Sequence, residues 1–463
     1  MKERLNFFIV TDTHCYANEL TDMGEAYEAR SYTDQHCLAE TAAIIDRAFE
    51  LLAADDSTQI VLMPGDLSRD GEKLSHIRFL EKLQTLRESG KKIYVITARH
   101  DYNEKAEGFC GSERIPVEGT RRDELVDMYW DYGFSDALVL DRHHLSYTAQ
   151  LADGVRLLAL NCDGDCGSFK GFPPEQLDWI FAQIADAKAA GDFIFAMTHY
   201  PVLPGSPIMG FIEDAVLTDW DAVTTQLADA GLPLMFTGHM HMQSVNKKTT
   251  AQGNALYDIC TGSLVGYPSA MRKVTLHPDL TMEVRSFAVD DFDWDKDGKT
   301  AEGYFIWRFE RMIRDKIDAM QSRPAEFLGI FGASSQNRML LALIRFLGRR
   351  LHALTLGKAA RLLFFRCPPE IRDLKLLDKA VELVRNVFMG DQPYTAGTPE
   401  YEFVKKLLRR LRPVLRILEK KLGAKQPILR DITALVLSLI GKDLKIDSNA
   451  RIDLKNFTEE EIQ

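Results

Sequence analysis

Six short apolar runs punctuate the first 240 residues, at 7–10, 59–63, 93–96, 155–160, 193–197 and 233–236. Each reads as a buried strand. Between several of them lie stretches with helical spacing, such as 39–53 and 175–189. Strands alternating with amphipathic helices predict an α/β or mixed layered sheet. Residues 255–290 alternate over shorter spans and predict an antiparallel sheet edge.

Beyond residue 300 the period changes to about 3.6, over 303–320, 336–355, 373–389, 399–422 and 427–441. In 399–422 the apolar positions are Phe403, Val404, Leu407, Leu408, Leu411, Leu415, Leu418 and Leu422, with lysine and arginine filling much of the rest. Pro413 is expected to kink or restart that helix. The acidic, glycine-containing stretch DFDWDKDGKTAEG (291–303) reads as a linker. Its Asp293, Asp295, Asp297 and Gly298 imitate the start of a calcium loop, but the position that needs a glutamate is Tyr304. The expected organisation is therefore an α/β domain over 1–292 and an all-helical domain over 300–463.

Charge sharpens that division. Residues 1–300 carry 27 Lys+Arg against 48 Asp+Glu, while 301–463 carry 30 against 20, within an overall charge of -11. A basic helical segment beside an acidic one could dock on it, its charges solvated. It could instead rest on an anionic membrane surface, with nucleic acid the weaker alternative partner. The oligomeric state is left open. No apolar run approaches the ~18 residues of a membrane span. The N-terminus enters the first strand without a signal-like segment, so the cytoplasm is the expected compartment. Seven scattered cysteines suggest no disulfide framework. Cys162 and Cys166 could form a metal or redox pair, but free thiols are the simpler reading.

Chemistry gathers where the strands end. Asp12 and His14 follow the first run, Gly65 and Asp66 the second, and Arg99, His100 and Asp101 the third. His199 follows 193–197, and His239 and His241 follow 233–236. In open α/β sheets ligands bind at that edge. Histidine nitrogen with carboxylate oxygen suits Mn, Fe, Zn or Co. Two such ions a few ångströms apart serve in-line phosphoryl chemistry. Any one of these motifs alone would be weak; five in order, holding five of eleven histidines, point to one site.

The set resembles the calcineurin-like metallophosphoesterase family, whose pattern is Asp-x-His, Gly-Asp, Gly-Asn-His-Asp, a single His, and Gly-His-x-His. Here it stands as Asp12-Thr13-His14, Gly65-Asp66, Ala98-Arg99-His100-Asp101, His199 and Gly238-His239-Met240-His241. The resemblance spans roughly residues 6–290, with GFPPEQLDWI (171–180) similar to the family's helix before the single His. It implies a four-layer α/β/β/α sandwich, one or two divalent ions, and hydrolysis of a small-molecule phosphoester. Asp12, His14, Asp66 and His241 would hold the first ion. Asp66 would bridge to a second, which His199 and His239 would complete. His100 would contact the phosphate or protonate the leaving oxygen, with Asp101 orienting it. The departure is Arg99, standing where the family has a metal-ligating asparagine; a protonated guanidinium has no lone pair to give. Three alternatives follow: a second ion absent or weakly held, an Arg99 that takes over phosphate binding, or an inactive descendant. A phosphodiester is the favoured substrate class, and the helical segment lies outside the resemblance.

Overall fold

The computed structural model describes residues 3–164, 169–206, 209, 214–329, 338–422, 431–440 and 444–463. Its strands, in chain order, are β1 Leu5–Ile9, β2 Ile60–Pro64, β3 Lys92–Ile96, β4 Glu107–Cys110, β5 Glu113–Pro116, β6 Ala137–Asp141, β7 Ser146–Ala152 and β8 Val155–Leu160. There follow β9 Phe193–Thr198, β10 Leu234–Thr237, β11 Ser244–Thr249, β12 Ala255–Cys260, β13 Ala270–Leu276, β14 Thr281–Ala288, β15 Asn449–Asp453 and β16 Thr458–Glu461. All six apolar runs are strands. Cys166 lies outside the described residues, and Cys162 is a buried free thiol.

Two seven-stranded sheets face each other, in the orders β16-β15-β14-β13-β1-β2-β3 and β11-β12-β10-β9-β8-β7-β6. In the first, β1, β2 and β3 are parallel; in the second, β8, β9, β10 and β12 are. The ring of Phe7 on β1 stacks on Phe195 of β9 at 5.3 Å and meets Phe236 of β10 edge-on at 5.5 Å, closing the space between the sheets. Each such aromatic contributes about 1.5–3 kcal/mol by burial. The Thr41–Ala53 and Lys73–Glu88 helices cover the outer face of the first sheet with Ile44, Ile45, Phe49, Phe79 and Leu83. The Pro174–Ala190 and Trp220–Ala230 helices cover the second with Ile180, Ile184 and Leu227. The result is the α/β/β/α sandwich that the resemblance implied.

Residues 255–290 are not one antiparallel edge. β12 is buried along its whole length and pairs parallel with β10 inside the second sheet. β13 and β14 belong to the first sheet, antiparallel to β1 and to each other. Alternation marks a strand with one face buried, but it does not say which sheet receives it.

The chain is mostly helical from Ala301–Ser322 to Ile432–Ser438. The helix over Pro399–Leu422 runs on through Pro413, so the helix does not restart there. The all-helical expectation fails for the last stretch, where β15 pairs antiparallel with β14 and β16 with β15. These strands have little apolar sequence of their own and form because β14 offers them an edge. Arg272 on β13, fully buried, ties them in: it donates to Cys260 O at 2.7 Å and Asp447 O at 2.8 Å. The first helix of the segment also enters the main core, through Tyr304, Phe305, Phe309 and Met312. Its Arg308 donates to Ser31 O at 2.7 Å. Among the described residues no helix is long and apolar enough to cross a membrane.

Candidate metal centre

Because β1, β2 and β3 run parallel in one sheet and β9 and β10 in the other, five strand ends meet at one edge of the sandwich. The turns leaving them are sharp. Asp12, His14, Asp66, His239 and His241 all have positive φ, between 37° and 65°. Left-handed backbone at non-glycine residues costs on the order of 1–3 kcal/mol each and concentrates at functional sites. Backbone bonds fix the turns against one another: His14 N donates to Asp66 O at 3.0 Å and Gly238 N to His199 O at 2.9 Å. Two glycines leave needed space. A Cβ on Gly65 would lie 3.0 Å from His199 Nδ1, and one on Gly238 would lie 2.4 Å from Asp12 Oδ2.

The six sequence-predicted ligands converge. His241 Nε2 lies 3.2 Å from Asp12 Oδ1 and 3.3 Å from His14 Nε2. His14 Nε2 lies 3.7 Å from Asp12 Oδ1 and 3.8 Å from Asp66 Oδ2. On the other side of Asp66, His199 Nε2 approaches the same Oδ2 at 2.8 Å. The ring of His239 lies 5.2 Å from that of His199. Asp12-His14-Asp66 and Asp66-His199-His239 each bring three ligand atoms within 4.8 Å of one another, with Asp66 common to both.

The donors fit divalent cations. Ligands about 2.0–2.2 Å from one ion stand roughly 3–3.5 Å apart, close to the spacing around His241. Burial, with His36 beside it, lowers His14 to about 3; burial and His199 lower His239 to about 3. Both are therefore neutral imidazoles, the ligating form. Burial opposes the charge on Asp12, but His241 and His199 outweigh it and keep the carboxylate ionised. Ring orientation is set from behind, as metal-binding histidines require. His199 Nδ1 faces Pro64 O at 2.9 Å and His239 Nε2 faces Asp214 O at 2.5 Å.

His100 lies beside this cluster, its ring 5.2 Å from that of His14. Its backbone N donates to Asp66 Oδ1 at 3.0 Å. The carboxylate near its ring is that of Asp70, with Oδ1 3.4 Å from Nδ1. Asp101 is placed elsewhere: its carboxylate accepts from Leu67 N, Ser68 N and Ala98 N, each at 2.8 Å. The Arg99 guanidinium is exposed; it donates to Tyr102 O at 3.1 Å and lies 5.1 Å over the Tyr102 ring. Sequence reasoning missed Asp70 and also His36, whose ring lies 3.8 Å from that of His14. His36 follows no apolar run; it sits in a loop ahead of the Thr41–Ala53 helix, where a strand-end search does not look.

The sequence profile of the calcineurin-like phosphoesterase family matches residues 5–243. Among curated proteins none matches the chain by sequence. Solved structures that superimpose on it include a dimetal phosphatase from Danio rerio, at 15% identity and TM-score 0.44 over 62% of this chain and 96% of that one. A purple acid phosphatase from yellow lupin seeds matches at 12% and 0.42, over 65% of this chain and 53% of that one. The NAD nucleotidase of Haemophilus influenzae matches at 11% and 0.33, over 77% and 62%.

Proposed function

Since this chain belongs to the calcineurin-like phosphoesterase family and is thereby a phosphoester hydrolase, we propose that it hydrolyses a small-molecule phosphodiester at a centre holding two divalent cations. The observation that carries the reading is Asp66, buried between two ligand sets that share only its carboxylate. Asp12, His14, Asp66 and His241 would hold one ion, and Asp66, His199 and His239 the other. Ions so held supply Lewis-acid polarisation of the phosphoryl oxygens and an activated water.

The remaining groups serve the substrate. His100 protonates the departing alkoxide oxygen. Burial works against its charged form, while the Asp66 and Asp70 carboxylates favour it, the direction a proton donor needs. Asp101 is a positioning residue. Through Leu67 N, Ser68 N and Ala98 N it locks the turn bearing Asp66 to the turn bearing His100. Arg99, on the exposed rim, binds a phosphate oxygen by its forked donors after leaving Tyr102 O. The test is metal content together with turnover of bis(p-nitrophenyl) phosphate and p-nitrophenyl phosphate in added Mn2+. Preference for the diester supports the reading. Preference for the monoester overturns the substrate class, and metal-bound protein without turnover on either overturns the activity.

For the helical segment we propose contact with an anionic membrane surface. Residues 338–422 hold 19 Lys+Arg against 8 Asp+Glu, and Phe346, Leu362 and Phe364 are exposed among them. Cations flanking exposed apolar groups suit anionic headgroups. Sedimentation with anionic vesicles, falling as salt rises, is the expected result; no binding at low salt would overturn it.

A further inference from the structure

His36 has the surroundings of a metal ligand, although the family pattern contains no such position. Its ring lies 3.8 Å from that of His14 and 4.9 Å from that of His241, centroid to centroid. One nitrogen from each of the three rings falls within 4.8 Å of the others. Two further observations distinguish it from a histidine that merely packs there. Its Nδ1 stands 3.0 Å from Asp34 Oδ1, and Asp34 is itself held by Arg30 Nη2 at 2.9 Å. A carboxylate behind one ring nitrogen fixes the tautomer and presents the other nitrogen as a lone pair, the arrangement that orients ligating histidines. The Asp34 approach to Nδ1 is an ion-pair contact rather than an aligned hydrogen bond, and both ring nitrogens are buried without a hydrogen-bond partner. A buried polar atom left so is costly unless something satisfies it. The loop is held by its backbone, Cys37 N donating to Val265 O at 2.7 Å, so the ring's position does not depend on its own bonding.

We propose that His36 is an additional ligand of the first cation, beside Asp12, His14, Asp66 and His241. The inference rests on the two-cation reading and makes the two sites unequal. The first has five protein donors. The second has three, Asp66, His199 and His239, because Arg99 stands where the resemblance supplies an asparagine. Metal therefore loads in two steps, with the tight step at the side of His36.

The test is a titration of the metal-free full-length protein with Mn2+ and with Co2+, by calorimetry and by Co2+ absorption, on wild type, His36→Ala and Asp66→Ala. Inorganic phosphate binding is followed in parallel, and thermal unfolding of the metal-free proteins checks the fold. The expected result is two unequal steps in the wild type. In His36→Ala the tight step weakens at least about 10–100-fold, the loss that outer-shell partners alone produce. Its Co2+ spectrum changes while the weak step stays. Asp34→Asn keeps the ring and should weaken the same step by less. An unchanged tight step in His36→Ala, with Asp66→Ala losing metal, would overturn this inference and spare the two-cation reading. Unchanged metal with weakened phosphate binding would make His36 a substrate contact and also overturn it. Binding of three ions that falls to two in His36→Ala would place His36 on a separate ion. A wild type that takes up no more metal than Asp66→Ala would overturn the two-cation reading itself.

Discussion

The edge that gathers the ligands and the distal helices treat their costly groups in opposite ways. At the edge, the carboxylates of Asp12 and Asp66 are buried, five of the proposed ligands hold left-handed backbone, and the surrounding sandwich carries the strain. In the distal helices it is apolar groups that are left uncovered. Leu362 is 67% and Phe364 84% exposed, and Phe364 also has a φ of 56°, unusual for a bulky residue. A separate small cluster of Leu356, Ala359, Ala360, Ile371 and Phe403 holds this region together. The difference teaches that the two regions are stabilised separately but not arranged side by side as independent bodies. The Ala301–Ser322 helix and β15 enter the main core, the Leu376–Met389 helix packs against it through Val384 and Phe388, and the small cluster stands apart.

Removing that connection should have the largest effect. A chain ending near residue 295 keeps all six proposed ligands. It loses Tyr304, Phe305, Phe309, Met312, Ala450 and Ile452 from the core, and Arg272 loses its bond to Asp447 O. Such a chain is expected to aggregate or to unfold without a cooperative transition, measurable by circular dichroism and size exclusion. A soluble, metal-binding fragment would mean that the α/β sandwich is complete without its C-terminal strands.

Within the edge, Asp66→Ala should be the most damaging point change. It removes the carboxylate between His14 and His199. Turnover should fall by more than the ~10²–10⁴-fold that a lost general acid costs, with loss of metal measured by elemental analysis. Near-normal metal and turnover would deny Asp66 a bridging place. His100→Ala should cost that ~10²–10⁴-fold while the metal stays, most strongly on a diester with a poor leaving group. Loss of metal in that variant would move His100 from the substrate side to the ligand set.

Behind the ligands, Asp258 offers a smaller and pH-dependent effect. Its carboxylate accepts from Val202 N and Leu203 N at 2.8 Å each and from Thr237 Oγ1 at 2.6 Å, so it braces the segments that follow β9 and β10. Burial raises it to about 6, above the ordinary aspartate value near 3.8. The folded state therefore holds the proton more tightly than the unfolded one. Its contribution is fully present below about pH 4 and is lost as pH rises through about 6. The change is at most about 3 kcal/mol, taking roughly 1.4 kcal/mol per pKa unit. Asp258→Asn keeps an oxygen for both backbone donors and cannot ionise. Its stability should be flatter than the wild type's between pH 4 and 6, by denaturant unfolding; parallel curves would assign the wild-type slope to other groups.

How much of this the sequence disclosed follows from the same division. Asp12, His14, Asp66, His199, His239 and His241 were legible because each follows an apolar run, and parallel strands deliver their ends to one edge. The sandwich was legible through the resemblance those residues carry. His36 was not, since only the folded loop brings it to His14. Asp70 was not, because its nearness to His100 depends on how two turns cross. The return of 449–461 to β14 was hidden for a different reason. Its strands are short and largely polar, and their stability resides in the edge they join. The sheet that takes 255–260 was equally invisible, since periodicity reports a buried face and not its neighbour.

The smallest effect on the fold belongs to the most exposed side chains, and it bears on why the distal helices differ from the edge. Leu362→Ser with Phe364→Ser removes two large apolar groups that are largely in solvent. Surface changes of this kind usually stay within about 0.5 kcal/mol, and serine at 364 exchanges one strained side chain for a smaller one. Thermal or denaturant unfolding of the double variant should therefore match the wild type, and turnover should be unchanged, because neither residue lies near the ligands. Vesicle binding should not be spared. If Phe364, with Arg361 and Arg366 flanking it in the chain, enters an anionic surface, the double variant should bind such vesicles at least about tenfold more weakly at equal salt, since each buried aliphatic or aromatic side chain is worth roughly 1.5–3 kcal/mol. Lost stability would show that these residues already pack within the protein, and the contrast with the edge would disappear. Unchanged stability with unchanged vesicle binding would leave the cations as the whole of the attraction.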